Sequence, residues 1–258
     1  MSYDHSYFFA LLCFETVYDI ILTVQIKPGD KMQIDIAFDF RTDSKGKDPD
    51  SHSPTLRQYH QNLWSKKLPT GGMFILNDQL NNTSNVGEFH FSSDSIIHTF
   101  SSWDFYQYII QQIDPKIIQD FEYKSYTIGG MLIFPRNRIN GKPTINGARG
   151  MNRQIRDRID LTLECIRRYY HNEQSPLFEC LSRYDSFFNL FGSFLGYVDF
   201  FLLNDLIYPD GSVKFLYPFE EFGVNVLPAT PEEYLLYKDN CIKFVDCRNK
   251  RIKNLYNS

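Results

Sequence analysis

The spacing of hydrophobic and polar residues along the chain predicts a mixed α and β protein. Strand-like patterns, either alternating or continuously apolar, occupy residues 34–40, 71–76, 87–92 and 126–134. Helical spacing predicts helices at residues 103–112, 115–121, 150–171, 176–191 and 196–207, and residues 213–219 are irregular or strand-like. Explicit start signals predict two further helices, one at Ser53-Pro54 that ends near Ser65 and one at Thr230-Pro-Glu-Glu233.

No long Pro-, Gly- or Ser-rich linker interrupts this pattern, so residues 32–258 are predicted to form a single α+β domain. The expected architecture is a modest N-terminal antiparallel sheet packed against a mainly helical C-terminal half. Residues 1–31 are predicted to be a non-native N-terminal extension. Met32 opens the first strand pattern, and the codons of Gly29-Asp30 before it can spell the purine-rich track that ribosomes recognise.

Composition narrows the classes of function. The net charge of −4 excludes a uniformly basic nucleic-acid binder, and the 43% hydrophobic content is that of a globular protein. No apolar run approaches the ~18 residues of a membrane-spanning helix, so no membrane association is predicted. The five cysteines form no CxxC pair, which favours reduced thiols in a cytoplasmic protein. We predict no cofactor and no metal site.

Positive charge is concentrated between Phe134 and Arg168, a segment that contains nine Lys or Arg residues and only three acids. The loop at its start, Pro135–Gly150, is dense in guanidinium and amide donors, which favour phosphate or carboxylate partners. It is not a nucleotide-binding P-loop, because Pro143 occupies the Ser or Thr position. The predicted phosphate-binding residues are Arg136, Asn137, Arg138, Lys142, Asn146, Arg149, Asn152, Arg153 and Arg156.

Arg158 interrupts the pattern of the predicted 150–171 helix, because it falls on the apolar side beside Ile155 and Ile166. A buried guanidinium needs a carboxylate partner. Asp199, which shares a helical face with leucines, is the expected partner. Of two interpretations of this pair, a structural ion pair that fixes helix packing is favoured over a charged group at the bottom of a functional site.

The sequence does not identify catalytic residues. The weak candidates are Arg158, Asp199, His90 and Asp94. His90 and Asp94 share one face of a predicted strand with Glu88 and Ser92, where a solvated polar face is the simpler interpretation. A second group of acids, Asp39, Asp43, Asp48 and Asp50, lacks the order of a calcium loop and is assigned to turn chemistry.

Several long segments of the chain carry a family resemblance. They include GGMLIFPRN and TINGARG within Gly129–Gly150, DLTLECIRRYY at Asp160–Tyr170, the segment 196–203 and the charged segment 40–53. Together these segments resemble a bacterial family of uncharacterised proteins, from about Met32 to the C-terminal helix. The resemblance implies a bacterial cytoplasmic protein and brings no established activity with it.

The best prediction of function is binding of a phosphate-bearing ligand, RNA or a nucleotide, through the basic loop between strand and helix. An enzymatic version would be a bacterial stress or defence nuclease. The alternative is a non-catalytic protein-interaction module that docks an acidic partner, although the protein partner itself is unknown. A third interpretation makes the basic segment a network that only stabilises the fold.

Overall fold

The computed structural model describes residues 33–84 and 87–256, so the predicted extension at residues 1–31 lies outside the described residues. The α-helices of the described part are α1 (Pro49–His52), α2 (Pro54–Trp64), α3 (Gln107–Ile110), α4 (Pro115–Ser125), α5 (Ile145–Met151), α6 (Ile159–Tyr170), α7 (Phe178–Ser182), α8 (Asp185–Phe188), α9 (Phe194–Phe200) and α10 (Pro231–Tyr256). The strands are β1 (Lys66–Lys67), β2 (Met73–Phe74), β3 (Asn81–Ser84), β4 (Gly87–Ser95) and β5 (Met131–Pro135).

The strands form two small antiparallel sheets, and the α+β prediction is confirmed. β1 pairs with β2, and the second sheet has the order β3-β4-β5. In this sheet Asp94 lies opposite Leu132, and β5 is buried along its whole length. The core beside the sheet is rich in aromatic rings, among them Trp64, Phe91 and Phe201. Ring packing of this kind buries a large apolar area for each residue.

The strand predicted at residues 34–40 is not formed. Ile34 and Phe40 are buried as the alternation requires, but no strand among the described residues pairs with this backbone. The Ala37 N–H donates to the Asp35 carboxylate at 2.9 Å, and the Phe40 N–H donates to the Tyr126 carbonyl at 3.2 Å. Turn hydrogen bonds therefore replace the sheet ladder that the pattern predicts.

The helix predicted at residues 150–171 is two helices, α5 and α6, separated by residues 152–158. The break is located by Arg156 and Asp157, whose φ angles of 48° and 59° lie in the left-handed region that no α-helix contains. Met151 is 67% exposed rather than part of an apolar face. The long helices predicted at 176–191 and 196–207 are likewise broken into short helices, and 213–219 contributes only an isolated bridge between Ile207 and Val213.

The C-terminal helix α10 begins at the predicted signal and is anchored by a buried arginine. Arg248 is fully buried and donates to the carbonyls of Gly129 and Met131 at 2.9 and 2.8 Å and to that of Phe201 at 3.0 Å. Burial lowers the pKa of Arg248 to about 9. A side chain at the neighbouring Gly130 would place its Cβ 2.3 Å from the Ser125 carbonyl oxygen, so this turn requires glycine.

The start of α2 confirms the predicted cap, and replacing it should have a moderate effect. The buried Ser53 hydroxyl accepts from the Leu56 N–H at 3.0 Å. Ser53→Ala leaves that donor without its partner and is expected to lower the free energy of unfolding by about 1 kcal/mol. Urea unfolding measures the change, with exposed Ser186→Ala as the matched control. Equal losses in the two variants would contradict the capping role.

Candidate functional site

One face of β4 is lined by polar residues that contact the segment following β5. The His90 N–H donates to Asn137 Oδ1 at 2.7 Å, and Ser92 Oγ accepts from Asn146 Nδ2 at 3.3 Å. Asp94, further along the strand, forms an ion pair with Arg149. Because a strand rises ~3.3 Å per residue, these contacts extend over about 13 Å. The basic segment therefore lies along the polar face of β4.

Arg149 is an internal residue, and this corrects its predicted role. Its side chain is 0% exposed and is shared between the carboxylates of Asp94 and Asp157, the latter at 3.1 Å. Its Nε donates to Thr162 Oγ1 at 3.0 Å, and its guanidinium lies 5.0 Å from the ring centre of Phe134. The guanidinium thus binds protein groups in place of a ligand phosphate.

Four other cations of the predicted set are exposed. Arg136, Arg138 and Lys142 follow β5, and Arg153 lies just beyond α5. Within the described part of the chain, none of the four forms an ion pair with a carboxylate. Arg183 approaches the same loop, where its Nη2 donates to the Pro143 carbonyl at 2.9 Å.

The remaining predicted phosphate-binding residues make local contacts. Asn137 and Asn146 contact β4 as described, and Asn152 Nδ2 donates to the Pro176 carbonyl at 3.2 Å. The Arg156 guanidinium lies 5.0 Å from the ring centre of Phe105, which is 54% exposed. These amides support the shape of the segment, whereas Arg156 and Phe105 form an accessible platform.

The predicted pairing of Arg158 with Asp199 is wrong. Asp199 is exposed and accepts from Asn204, while Arg158 bonds through Nε to Asp160 at 3.1 Å. The side chains of Arg158 and Asp160 are both 0% exposed. The break before α6 explains the difference, because Arg158 is the N-cap residue and meets a carboxylate only two positions away. Arg158 and Asp199 therefore do not form a shared site.

His90 lies where the basic loop leaves the sheet. Its carbonyl accepts from the Arg136 N–H at 2.8 Å, and its Nδ1 is 2.6 Å from Asn81 Oδ1. Its Nε2 lies 3.1 Å from the Glu88 carboxylate. The imidazole is thus part-exposed and oriented by an amide, while the backbone of His90 pairs with that of Arg136.

The end of β4 gathers carboxyl groups from distant segments. Asp50, on α1, lies close enough to Ser93 and Ser95 of β4 for both residues to lower the pKa of its carboxyl group. Burial and the nearby charges of Asp94 and Asp48 raise the pKa of Asp50 to about 8. Burial also raises the pKa of Asp94 to about 7, against the opposing effect of Arg149. Asp50, which sequence reasoning considered only as a turn acid, therefore belongs to the same site as Asp94.

Two other acids of the N-terminal turn do not join this site. Asp39 pairs with Arg41 at 2.7 Å, and Asp43 accepts from the Thr55 N–H at 3.1 Å. Among residues 33–84 and 87–256, no group of three or more His, Cys, Asp or Glu side chains has an arrangement that could hold a metal ion. In the same residues, no helix is long and apolar enough to cross a bilayer.

Few signals in the sequence pointed to the residues at the end of β4. Asp50 belongs to the acid group of the N-terminal turn and to the segment 40–53 that carries part of the resemblance, and neither signal places it beside β4. His60 and Ser93, whose side chains meet at 2.8 Å, lie on a helix and a strand with no motif spacing between them. Asp157 falls within the predicted 150–171 helix, whereas its φ of 59° is left-handed and no local pattern predicts it.

Comparison with known families gives one match. Residues 34–252 match a family of unknown function, DUF6994. Searches of curated proteins and of solved structures returned no match. The match includes β4, the basic loop and the carboxyl groups at the end of β4. Because it extends over most of the sequence, the chain belongs to the DUF6994 family.

Proposed function

We propose that the protein binds a phosphate-bearing ligand, RNA or a nucleotide, on the surface formed by Arg136, Arg138, Lys142 and Arg153. The supporting observation is the contrast between these exposed cations and four other arginines of the basic segment. Arg149, Arg158, Arg167 and Arg168 are each paired with a carboxylate. The four exposed cations have no such partner among the described residues, so their charge is free to attract an anion.

An aromatic ring beside Arg156 favours nucleic acid over an acidic protein surface. Phe105 is 54% exposed, and the Arg156 guanidinium lies 5.0 Å from its ring centre. Exposed rings beside cations are typical of surfaces that stack unpaired bases while holding the phosphates. A single-stranded RNA or a nucleotide therefore fits this surface better than a carboxylate-rich protein.

The cell compartment we propose is a bacterial cytoplasm. Its support is the state of the cysteines, because Cys165, Cys180, Cys241 and Cys247 are free thiols. Reduced thiols persist in the cytosol, where RNA and nucleotides are abundant. A nuclease form of the proposal would use His90, whose backbone carbonyl accepts from the Arg136 N–H at the start of the basic loop.

The test removes the four charges and measures the salt dependence of binding to a fluorescent single-stranded RNA. For single strands the slope of log K against log salt is about −0.7 for each phosphate neutralised. The variant with all four cations changed to Ala should lose nearly three units of slope and roughly 100-fold in affinity. The matched control changes four exposed lysines elsewhere, Lys116, Lys243, Lys250 and Lys253.

Two outcomes would contradict the proposal. One is wild-type protein whose RNA and nucleotide binding is absent or unaffected by salt. The other is loss of an acidic protein partner in the four-residue variant with RNA binding intact, which would make the surface a protein-interaction site. Cleavage of the RNA probe by wild type but not by His90→Ala would establish the nuclease form.

A further inference from the structure

A cavity of about 340 Å³ lies between the end of β4, the segment that follows β4 and the end of α4. Its volume is at the lower end of the ~300–1,000 Å³ range of small-molecule sites, so it is large enough for a small organic molecule. The cations of the proposed RNA-binding surface are not among its lining residues. Its polar lining includes Arg41, Ser95, Thr99, Ser101, Glu122 and Tyr126.

Glu122 gives this cavity a carboxylate whose acceptor positions are only partly used. Its side chain is 32% exposed, and its Oε1 accepts from the Ser101 hydroxyl at 2.7 Å. Its Oε2 lies 3.7 Å from Arg41 Nη1, which is longer than a hydrogen bond. Because an ionised carboxylate has about four acceptor positions, Glu122 keeps several of them for a ligand.

Arg41 does not make the cavity positive, because its guanidinium is paired with another carboxylate. Its Nε and Nη2 donate to Asp39 at 3.0 and 2.7 Å. Its guanidinium carbon lies 5.3 Å from the centre of the Tyr126 ring, so one face of that ring is covered. Asp39 and Glu122 therefore place two negative charges around one positive charge. This excess of negative charge favours a cationic ligand.

The hydroxyl groups of the lining give their protons to other protein groups. The Ser101 hydroxyl has one proton, which it gives to Glu122, so Thr99 Oγ1 must be the donor to Ser101 Oγ at 2.9 Å. Ser95 Oγ donates to the Ile97 carbonyl at 3.3 Å. These hydroxyls therefore offer only lone pairs to a ligand. Together with the carboxylate they form a set of acceptors, which N–H donors of a ligand would match.

His98 adds a donor to the lining. Its Nδ1 accepts from the Phe100 N–H at 2.9 Å, and burial lowers its pKa, so the neutral ring carries its proton on Nε2. The ring is held between Phe100 and Trp103, with ring centres 4.9 and 4.6 Å away. No group among the described residues accepts from Nε2. A hydroxyl group on the ligand could accept this proton.

We infer that the cavity binds a small organic ammonium ion, a primary amine with its N–H groups directed at the Glu122 carboxylate. The lone pairs of Ser95 and Thr99 supply further acceptors. Hydrogen bonds between an ammonium and a carboxylate are about twice as strong as those between neutral groups. This binding site is additional to the proposed RNA-binding surface and does not depend on it.

The experiment titrates the full chain by calorimetry with four probes that share a four-carbon chain: diaminobutane, aminobutanol, butanediol and succinate. The two amines should bind. The neutral diol and the dianion should bind at least about 10-fold more weakly, because they lack a charged N–H donor. NMR shift changes at His98 and Tyr126 should show that the amines occupy the cavity. Absence of amine binding, or binding of the diol or succinate as tight as that of the amines, overturns the inference.

Two substitutions that change the charge in opposite directions test the role of the lining. Glu122→Gln can still accept from Ser101 but loses its negative charge, so it should weaken amine binding by about 10–100-fold. Arg41→Gln removes a positive charge and should bind the amines at least as tightly as wild type. Exposed Glu221→Gln is the matched control and should bind them as wild type does.

The outcomes of these substitutions separate an amine site from its alternatives. Equal amine affinity in Glu122→Gln and wild type, or an Arg41→Gln variant that loses only succinate binding, overturns the inference. NMR spectra of the residues outside the cavity show that each variant is folded. The variant that lacks the four exposed cations should bind the amines as wild type does, so this inference and the RNA-binding proposal can fail independently.

Discussion

Arg158→Met is expected to lower the free energy of unfolding by about 3–5 kcal/mol, because it leaves a buried carboxylate without its cation. Arg158 donates to the carbonyls of Tyr217 and Val226 at 2.7 and 3.0 Å, besides its contact with Asp160. Asp160 also accepts from the Leu216 N–H at 2.8 Å. The pair therefore ties the start of α6 to the irregular segment before α10, and urea unfolding measures its loss.

Two further variants separate the buried pair from an ordinary surface pair. Arg158→Met combined with Asp160→Asn removes both charges, so it should cost less than Arg158→Met alone. Arg167→Met, which breaks a partly exposed pair with Glu164, should cost at most about 1 kcal/mol. A loss for Arg158→Met no larger than that for Arg167→Met would contradict the burial of this pair.

Asp50→Asn is expected to remove a large part of the pH dependence of stability. The pKa of Asp50 rises from 3.8 to about 8 on folding, so the folded state binds this proton more tightly than the unfolded chain does. The resulting stabilisation is complete below about pH 4 and is lost as the pH rises through about 8. A shift of this size corresponds to several kcal/mol, since one pKa unit is about 1.4 kcal/mol.

The measurement is urea unfolding at a series of pH values. Wild type should lose stability between pH 5 and 8.5, whereas Asp50→Asn should give a flatter curve and exceed wild type at pH 8.5. A smaller slope should persist in the variant, because burial also raises the pKa of Asp94. Asp78→Asn, at an exposed position, should follow wild type. Parallel curves for Asp50→Asn and wild type would show that Asp50 ionises freely in the folded protein.

Local signals predicted the parts of the fold that depend on neighbours in the chain. The starts of α2 and α10 are confirmed because a Ser or Thr cap followed by Pro satisfies backbone donors within one helical turn. Thr230 accepts from the Glu233 N–H at 3.2 Å as the motif requires. Alternation along β4 likewise placed His90 and Asp94 on one face.

Long-range contacts account for the errors. The pattern of residues 150–171 is compatible with a continuous helix, but Arg149 before the break pairs with Asp94 and Asp157, and Arg158 at its end pairs with buried Asp160. Those contacts outweigh the small helical preference of the residues between them. Residues 34–40 alternate as a strand does, yet a strand needs a pairing neighbour, and none of the described strands pairs with them.

The amino-acid pattern alone established the α+β class, the capped helices and the exposed positive charge of the loop after β5, because each depends on local backbone preference or on composition. Folding in three dimensions established which charges are neutralised and which remain free. In the folded chain Arg149 is buried, and Asp50, Asp94 and Asp157, which come from separate segments, lie close together. Burial and proximity, which set the protonation of these groups, are properties of the packed chain and have no local sequence signal.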